Sequence, residues 1–272
     1  MTSRPHFSAP KGTRDLLPDD ADEVLQFEGE FSALARLYGF SPLVTPAFEH
    51  TEVFERGVGE ATDIVNKEMY TFADRGDRSM TLRPEGTAPV MRAFIEHGIG
   101  KSGQLPWKVF YLGPMWRYER PQAGRMREFR QVGAESIGSA DPQYDVELVD
   151  LVARFFDRLQ ISDVELLINS MGDEQCRPAY SKAFASFVAG AVEKRHPLCD
   201  DCTRRLRQNP LRIFDCKKPG CRELTEGAPT AVESLCADCI EHFEAVKSGL
   251  RAIGVSFRLE PRLVRGLDYY TR

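Results

Sequence analysis

The feature that most constrains this chain is a pair of strand-like segments flanking an arginine-rich loop. Residues 107–119 read WKVFYLGPMWRYE, the loop reads RPQAGRMRE, and the return segment reads FRQVGAESIG. Segments of this kind around a polar, glycine-containing loop predict a long antiparallel hairpin. Its tip and root carry Arg117, Arg120, Arg125, Arg127 and Arg130. A guanidinium grips phosphate oxygens through a planar two-pronged fork, so arginines converging there suit a polyphosphate. On charge count alone they equally suit a solvated loop. Phe129, Gln131, Gly133 and Glu135 alternate onto one face of the return strand. Such a set makes a poor core and a good ligand floor, with Phe129 able to stack on a base.

Other elements follow from periodicity. Val24, Phe27, Phe31 and Leu34 recur three or four apart, predicting an amphipathic helix over 20–38. Asp19 or Asp20 would cap it after Pro18, and Gly39 would end it. An extended segment reaches Pro46, with Pro42 and Pro46 arguing against a central place in a sheet. Strands are expected at 68–75 and 78–83, a helix from Gly86, a second helix over 143–160, and a buried strand in VELLINS. Glu85 and Thr87 stand at a strand-to-helix turn, where a carboxylate can cap the helix or hold a ligand ammonium group.

Composition narrows the function. The net charge of −5, with 28% charged and 42% hydrophobic residues, describes a globular chain whose contacts with nucleic acid must be local. No secretory leader and no run of about 18 apolar residues is evident, so a cytoplasmic protein with no membrane contact is expected. The seven cysteines then call for something other than disulfides. Cys199-x-x-Cys202 and Cys236-x-x-Cys239 are the frame of a structural zinc site, with Cys216 and Cys221 as further candidate ligands. Cys176 is assigned to packing. Lys194, Arg195, Arg204, Arg205, Arg207, Arg212, Lys217 and Lys218 make the same stretch basic.

Taken in order and spacing, KGTRDLLP, KEMYTFADRGDRSMTLRPEGTAPVMRA, MWRYERPQAGRMREFRQVGAESIG and LVRGLDYYTR resemble histidyl-tRNA synthetase over essentially the whole chain. The hairpin resembles motif 2 of the class II aminoacyl-tRNA synthetases. The helix at 20–38 with the strand ending at Pro46 resembles motif 1, the class dimer interface. RLVRGLDYY resembles the signature of the histidine enzyme.

The resemblance implies an α+β fold: a class II synthetase-like antiparallel sheet flanked by helices, with a mainly helical insertion. It implies a catalytic core over 1–172, a cysteine-bearing insertion over 173–250, and a return to the core over 251–272. Motif 3 and an anticodon-binding domain are not in this sequence, so a fragment inactive alone is expected. It further implies that Glu85, Thr87 and Gln131 hold the α-amino group of histidine. Glu135 and Tyr270 would meet the imidazole, with Tyr269 beside them. Arg117 and Arg125 would bind ATP phosphates, Phe129 would stack on adenine, and Arg265 would neutralise charge at the α-phosphate. ATP, Mg²⁺, histidine and tRNA(His) are the implied ligands, and a homodimer the implied assembly. The alternative is a non-catalytic histidine-sensing paralogue, the regulatory subunit of ATP phosphoribosyltransferase.

Overall fold

The computed structural model describes residues 8–59, 62 and 64–264. The chain forms two compact units, Met1–Ser139 and Ala140–Arg272.

The first unit opens with helix α1, Pro18–Leu37. It starts at Pro18 itself, with Leu17 in the capping position and no side-chain cap, so neither Asp19 nor Asp20 caps it. Both lie in the first turn, where negative charge favours the helix amino end. Gly39, at φ +78°, closes it. Its N–H donates to the Arg36 carbonyl and that of Phe40 to Ala35, which satisfies the last turn. Of the apolar stripe, Phe31 and Leu34 are buried, and Phe31 meets Phe110 edge-on at 6.2 Å. Val24 and Phe27 are only half-buried.

The hairpin forms as its pattern predicts. Strands β5 (Trp107–Trp116) and β6 (Glu128–Ile137) pair antiparallel throughout. Strand β1, Ser41–Pro42, joins β5 in parallel, which leaves β5 central and the proline strand at the edge. Strands β2 (Phe48–His50), β3 (Tyr70–Ala73) and β4 (Ser79–Leu82) form a second antiparallel sheet in the order β2-β4-β3. Between them run helix α2, Thr51–Val58, and after them α3, Thr87–Glu96. Glu49 on β2 and Arg92 on α3 form an ion pair that ties sheet to helix.

The second unit is mainly helical. It contains α4 (Pro142–Arg158), α5 (Arg177–Lys194), α6 (Asp200–Gln208), the short α7 (Pro219–Glu223) and α8 (Ala237–Ala252). Asp141 caps α4 by accepting from the Gln143 N–H at 2.9 Å. One expectation changes here. VELLINS yields only β7, Leu167–Ile168, and it is half-buried. Strand β8 (Arg258–Leu259), after the insertion, pairs with β7 in parallel to form a separate two-stranded sheet. The second compact unit begins at Ala140, so α4 belongs with the helices that follow residue 173. The reason is packing: Gly249 of α8 lets Val146 of α4 approach, and His242 of α8 meets Asp145 at 2.7 Å. Among the described residues, no helix is long and apolar enough to cross a membrane.

Candidate functional site

Six of the predicted residues come together in the first unit, on the β5–β6 face opposite α1. Glu85 is buried and lies just before α3. One carboxylate oxygen accepts the Thr87 N–H and the other the Ala88 N–H, both at 2.8 Å. It therefore caps the helix. Each oxygen keeps a second lone pair, so capping and ligand binding are compatible. The Thr87 hydroxyl donates to Glu135 Oε1 at 2.7 Å, which links the start of α3 to β6.

Two carboxyls in one dry place repel ionisation. Burial raises Glu85, against the hydrogen bonds from Ala88 and Thr87 and the charge of Arg117. Burial also pushes Glu135 up to about 7, helped by the neighbouring Glu85 and opposed by the Thr87 hydroxyl. The Glu135 carboxyl therefore titrates in the imidazole range.

This gives a pH-dependent stability whose sign is fixed. The folded pKa lies above the unfolded one, so the folded state holds its proton longer. Stability falls as pH rises from the unfolded value toward 7, then levels off. Glu135→Gln keeps an acceptor for Thr87 and never ionises. Relative to the parent chain it should gain on the order of 2 kcal/mol between about pH 5 and about pH 8. Urea unfolding at the two pH values measures this; a gap that does not change with pH would place Glu135 in a wet environment.

The floor is organised by a residue that the pattern did not single out. Tyr111 on β5 is buried and faces Gly133 directly across the hairpin. A Cβ on Gly133 would lie 2.3 Å from its ring, and one on Gly86 2.2 Å from it. The tyrosine thus fills the space two glycines leave. Its hydroxyl accepts from Gln131 Nε2 at 3.3 Å, while Gln131 Oε1 is buried with no hydrogen-bond partner among the described residues. The signal in the sequence was Gly133 itself, once the register of the hairpin is known.

A second missed residue is Arg83, also buried. Its Nε donates to the Pro114 carbonyl at 3.0 Å and its Nη1 to the Thr45 carbonyl at 2.9 Å. Gly113 opposite it has φ +145°, and a Cβ there would meet Nη2 at 2.7 Å. This arginine braces the backbone.

The arginine rim is held in place from several sides. Arg117 donates to the Pro84 carbonyl at 2.8 Å and lies over the Phe129 ring at 5.1 Å. Arg125 sits at the tip, in a tight turn closed against Gln122, with Gly124 at φ +75°. It pairs with Glu119 at 3.0 Å and remains more than half exposed. Arg127 donates to the Glu119 carbonyl and stacks on Tyr118 at 3.9 Å. The carbonyl of Gly12 accepts from the N–H groups of Arg127 and Glu128, at 2.7 and 3.2 Å. Arg130 turns away and pairs with Glu28 of α1 at 2.6 Å. Arg265, Tyr269 and Tyr270 lie outside the described residues.

The cysteines do not gather as expected. Cys199-x-x-Cys202 and Cys236-x-x-Cys239 belong to two different groups, because they begin different helices, α6 and α8. Cys216 and Cys221 join the first pair; Asp173 and Cys176 join the second, so Cys176 is not a lone packing residue. The basic residues nearby are partly neutralised within the unit. Arg204 pairs with Asp201, Arg195 with Glu223 and Arg212 with Asp215, while Arg207, Lys217 and Lys218 are exposed.

A family model described as histidyl-tRNA synthetase matches residues 12–172. Among curated proteins, the histidine–tRNA ligase of Moorella thermoacetica is 52% identical over 265 residues, 97% of this chain and 62% of that protein. That of Desulfitobacterium hafniense is 50% identical over 263 residues, 97% of this chain and 61% of that protein. The chain thus spans roughly three fifths of the curated relatives it matches. The apo histidyl-tRNA synthetase of S. aureus superposes with a TM-score of 0.76 at 35% identity, covering 98% of this chain and 60% of that one. A structure from Bacillus halodurans C, named as an ATP phosphoribosyltransferase regulatory subunit/histidyl-tRNA synthetase, gives 0.68 at 21% identity over 98% of this chain and 72% of that one, a likeness of fold alone.

Proposed function

Because the chain belongs to the histidyl-tRNA synthetase family, we propose that the floor on β5 and β6 binds histidine and ATP for adenylate formation, with transfer of histidine to tRNA(His) by the full-length protein. The observation that carries this reading is a set of acceptors on one floor: buried Glu85, half-buried Glu135 and the buried Oε1 of Gln131, which has no partner among the described residues. A histidine zwitterion brings the complementary groups, an ammonium and an imidazole N–H. Glu85, Thr87 and Gln131 take the ammonium. Glu135 takes one imidazole nitrogen and Tyr270 the other, with Tyr269 alongside. A side chain lacking those nitrogens leaves buried polar groups unpaired, which is worth roughly 10⁴-fold in discrimination.

The amino acid's carboxylate attacks the α-phosphate of ATP and pyrophosphate leaves. The nucleophile is already ionised, so the protein needs to position and to neutralise charge more than to remove a proton. In this reading Arg117 takes the α-phosphate, Arg125 the γ-phosphate, and Phe129 offers a ring for adenine. Arg265 supplies charge as the α-phosphate reorganises, and Mg²⁺ accompanies the phosphates. The exposed Arg207, Lys217 and Lys218 offer phosphate contacts to tRNA. The exposed Leu25, Leu37 and Val44 around motif 1 fit a homodimer interface. The setting is the cytoplasm.

ATP–pyrophosphate exchange on the full-length protein tests the reading. Exchange should depend on histidine and on no other amino acid, and Glu135→Ala should lower it by about 10²-fold or more. Histidine binding without exchange would favour a sensor over a ligase.

A further inference from the structure

None of the seven cysteines is in a disulfide. All seven, with one aspartate, form two four-ligand groups in the second unit, and in each group the four ligand atoms all lie within 4.8 Å of one another. The first group is Cys199, Cys202, Cys216 and Cys221. The second is Asp173, Cys176, Cys236 and Cys239. We propose that this unit holds two structural zinc ions, one in each group.

The geometry argues for a single tetrahedral ion in each. Zinc–sulfur bonds of about 2.3 Å put the sulfurs of a tetrahedral site about 3.8 Å apart. Cys176 and Cys239 stand at 3.6 Å, Cys236 Sγ is 3.8 Å from Asp173 Oδ2, and Cys176 Sγ is 3.1 Å from Asp173 Oδ1. A sulfur pair at 3.6 Å is far from the bonded distance of about 2.05 Å. A disulfide also cannot explain a group that includes a carboxylate.

The local chain is shaped for ligation. Cys176, Cys199 and Cys236 each occupy the capping position of a helix, α5, α6 and α8, with Cys202 and Cys239 three residues on, in the first turns. Thiolates are favoured at helix amino ends. The second group pairs an Asp-x-x-Cys turn with a Cys-x-x-Cys turn, two equivalent knuckles closing on one point. Gly172, at φ +69°, makes room: a Cβ there would lie 2.7 Å from Cys176 Sγ. In the first group the Cys199 N–H donates to Cys221 Sγ at 3.4 Å, a typical outer-shell contact for a ligating sulfur. Each group has two buried and two half-buried members, so neither is wholly sealed from solvent. Ordinary packing of free thiols accounts for buried cysteines one at a time. It does not account for two sets of four converging ligands, one of them containing a carboxylate.

The two ions would hold different parts. The first fastens α6 to α7 and the turn before it; the second fastens the start of α5 to the start of α8. Binding displaces four thiol protons at the first site and three at the second, so affinity rises with pH.

Metal analysis of the 272-residue chain, purified without chelator from zinc-supplemented medium, should give about two zinc per chain. A mercurial titration with a chromogenic zinc chelator should release both. Cys221→Ser and Cys239→Ser should each retain one zinc, and the double variant none. Asp173→Asn, which keeps the shape of the side chain, should retain the first ion and weaken the second. Cobalt substitution should show a stronger thiolate charge-transfer band per ion in Cys239→Ser, which keeps the four-sulfur site, than in Cys221→Ser, which keeps the three-sulfur one. One zinc or none in the parent chain overturns the proposal. So does an unchanged count in Cys239→Ser, which would remove the second site whatever the fate of the variant's fold.

Discussion

Gly133→Ala should destabilise the first unit by about 3 kcal/mol, a large effect for one methyl group. The added carbon would lie 2.3 Å from Tyr111 Cζ and 2.4 Å from its hydroxyl oxygen. The ring cannot give way easily, because it is buried and bounded on another side by Gly86, whose own Cβ position lies 2.2 Å from it. Either the ring leaves its rotamer or the strands part. Tyr111→Phe should not relieve the clash, since Cζ remains. Tyr111→Leu combined with Gly133→Ala should recover part of the loss, giving a clear interaction energy in a double-mutant cycle. The readout is convenient: both tryptophans, Trp107 and Trp116, are on β5, so their fluorescence follows this unit during urea unfolding. A cost under about 1 kcal/mol would mean the floor yields.

Arg83→Met should cost about 3–4 kcal/mol, by a different route. The methionine roughly conserves the stem but withdraws the donors from the Thr45 and Pro114 carbonyls. A buried carbonyl left without its charged donor loses roughly 1.5–3 kcal/mol. The site should suffer too, because the Arg83 side chain holds Pro114 in β5. The same fluorescence measurement checks the stability. Arg83→Lys should rescue only part of it, since one ammonium cannot reproduce the span of a guanidinium fork. A Met variant as stable as the parent would show that water satisfies those carbonyls.

These two residues mark the border of what the sequence discloses. The amphipathic stripe of α1, the two β5–β6 segments and the strand-to-helix turn at Glu85 rest on local periodicity, and they form where expected. So do the shared faces of Gln131 and Glu135. The role of Tyr111 depends on register, and the tight turn joining Gln122 to Arg125 does not continue the register of the strands, so it cannot be counted from the tip. Arg83 looked like one more cation in an arginine-rich chain; only the fold shows it facing carbonyls. The cysteines mislead for a related reason. Two Cys-x-x-Cys motifs suggest one site by analogy with short ribbons. Which ligands meet depends on how α5, α6 and α8 are arranged, and a carboxylate such as Asp173 carries no mark that separates it from the chain's other acids. The parallel pairings of β1 with β5 and β7 with β8 are non-local and equally silent in the sequence.

The contact of Gly12 with the hairpin root also sets an order of events during synthesis. Gly12 leaves the ribosome early, whereas Arg127 and Glu128, whose N–H groups its carbonyl receives, emerge long afterwards. The hairpin can zip by itself, being local, but its root cannot be clasped until the two distant segments meet, and that closure carries the entropy of a long loop. The root of the hairpin is therefore clasped only after Glu128 has been translated, and the cationic rim has no finished footing before then.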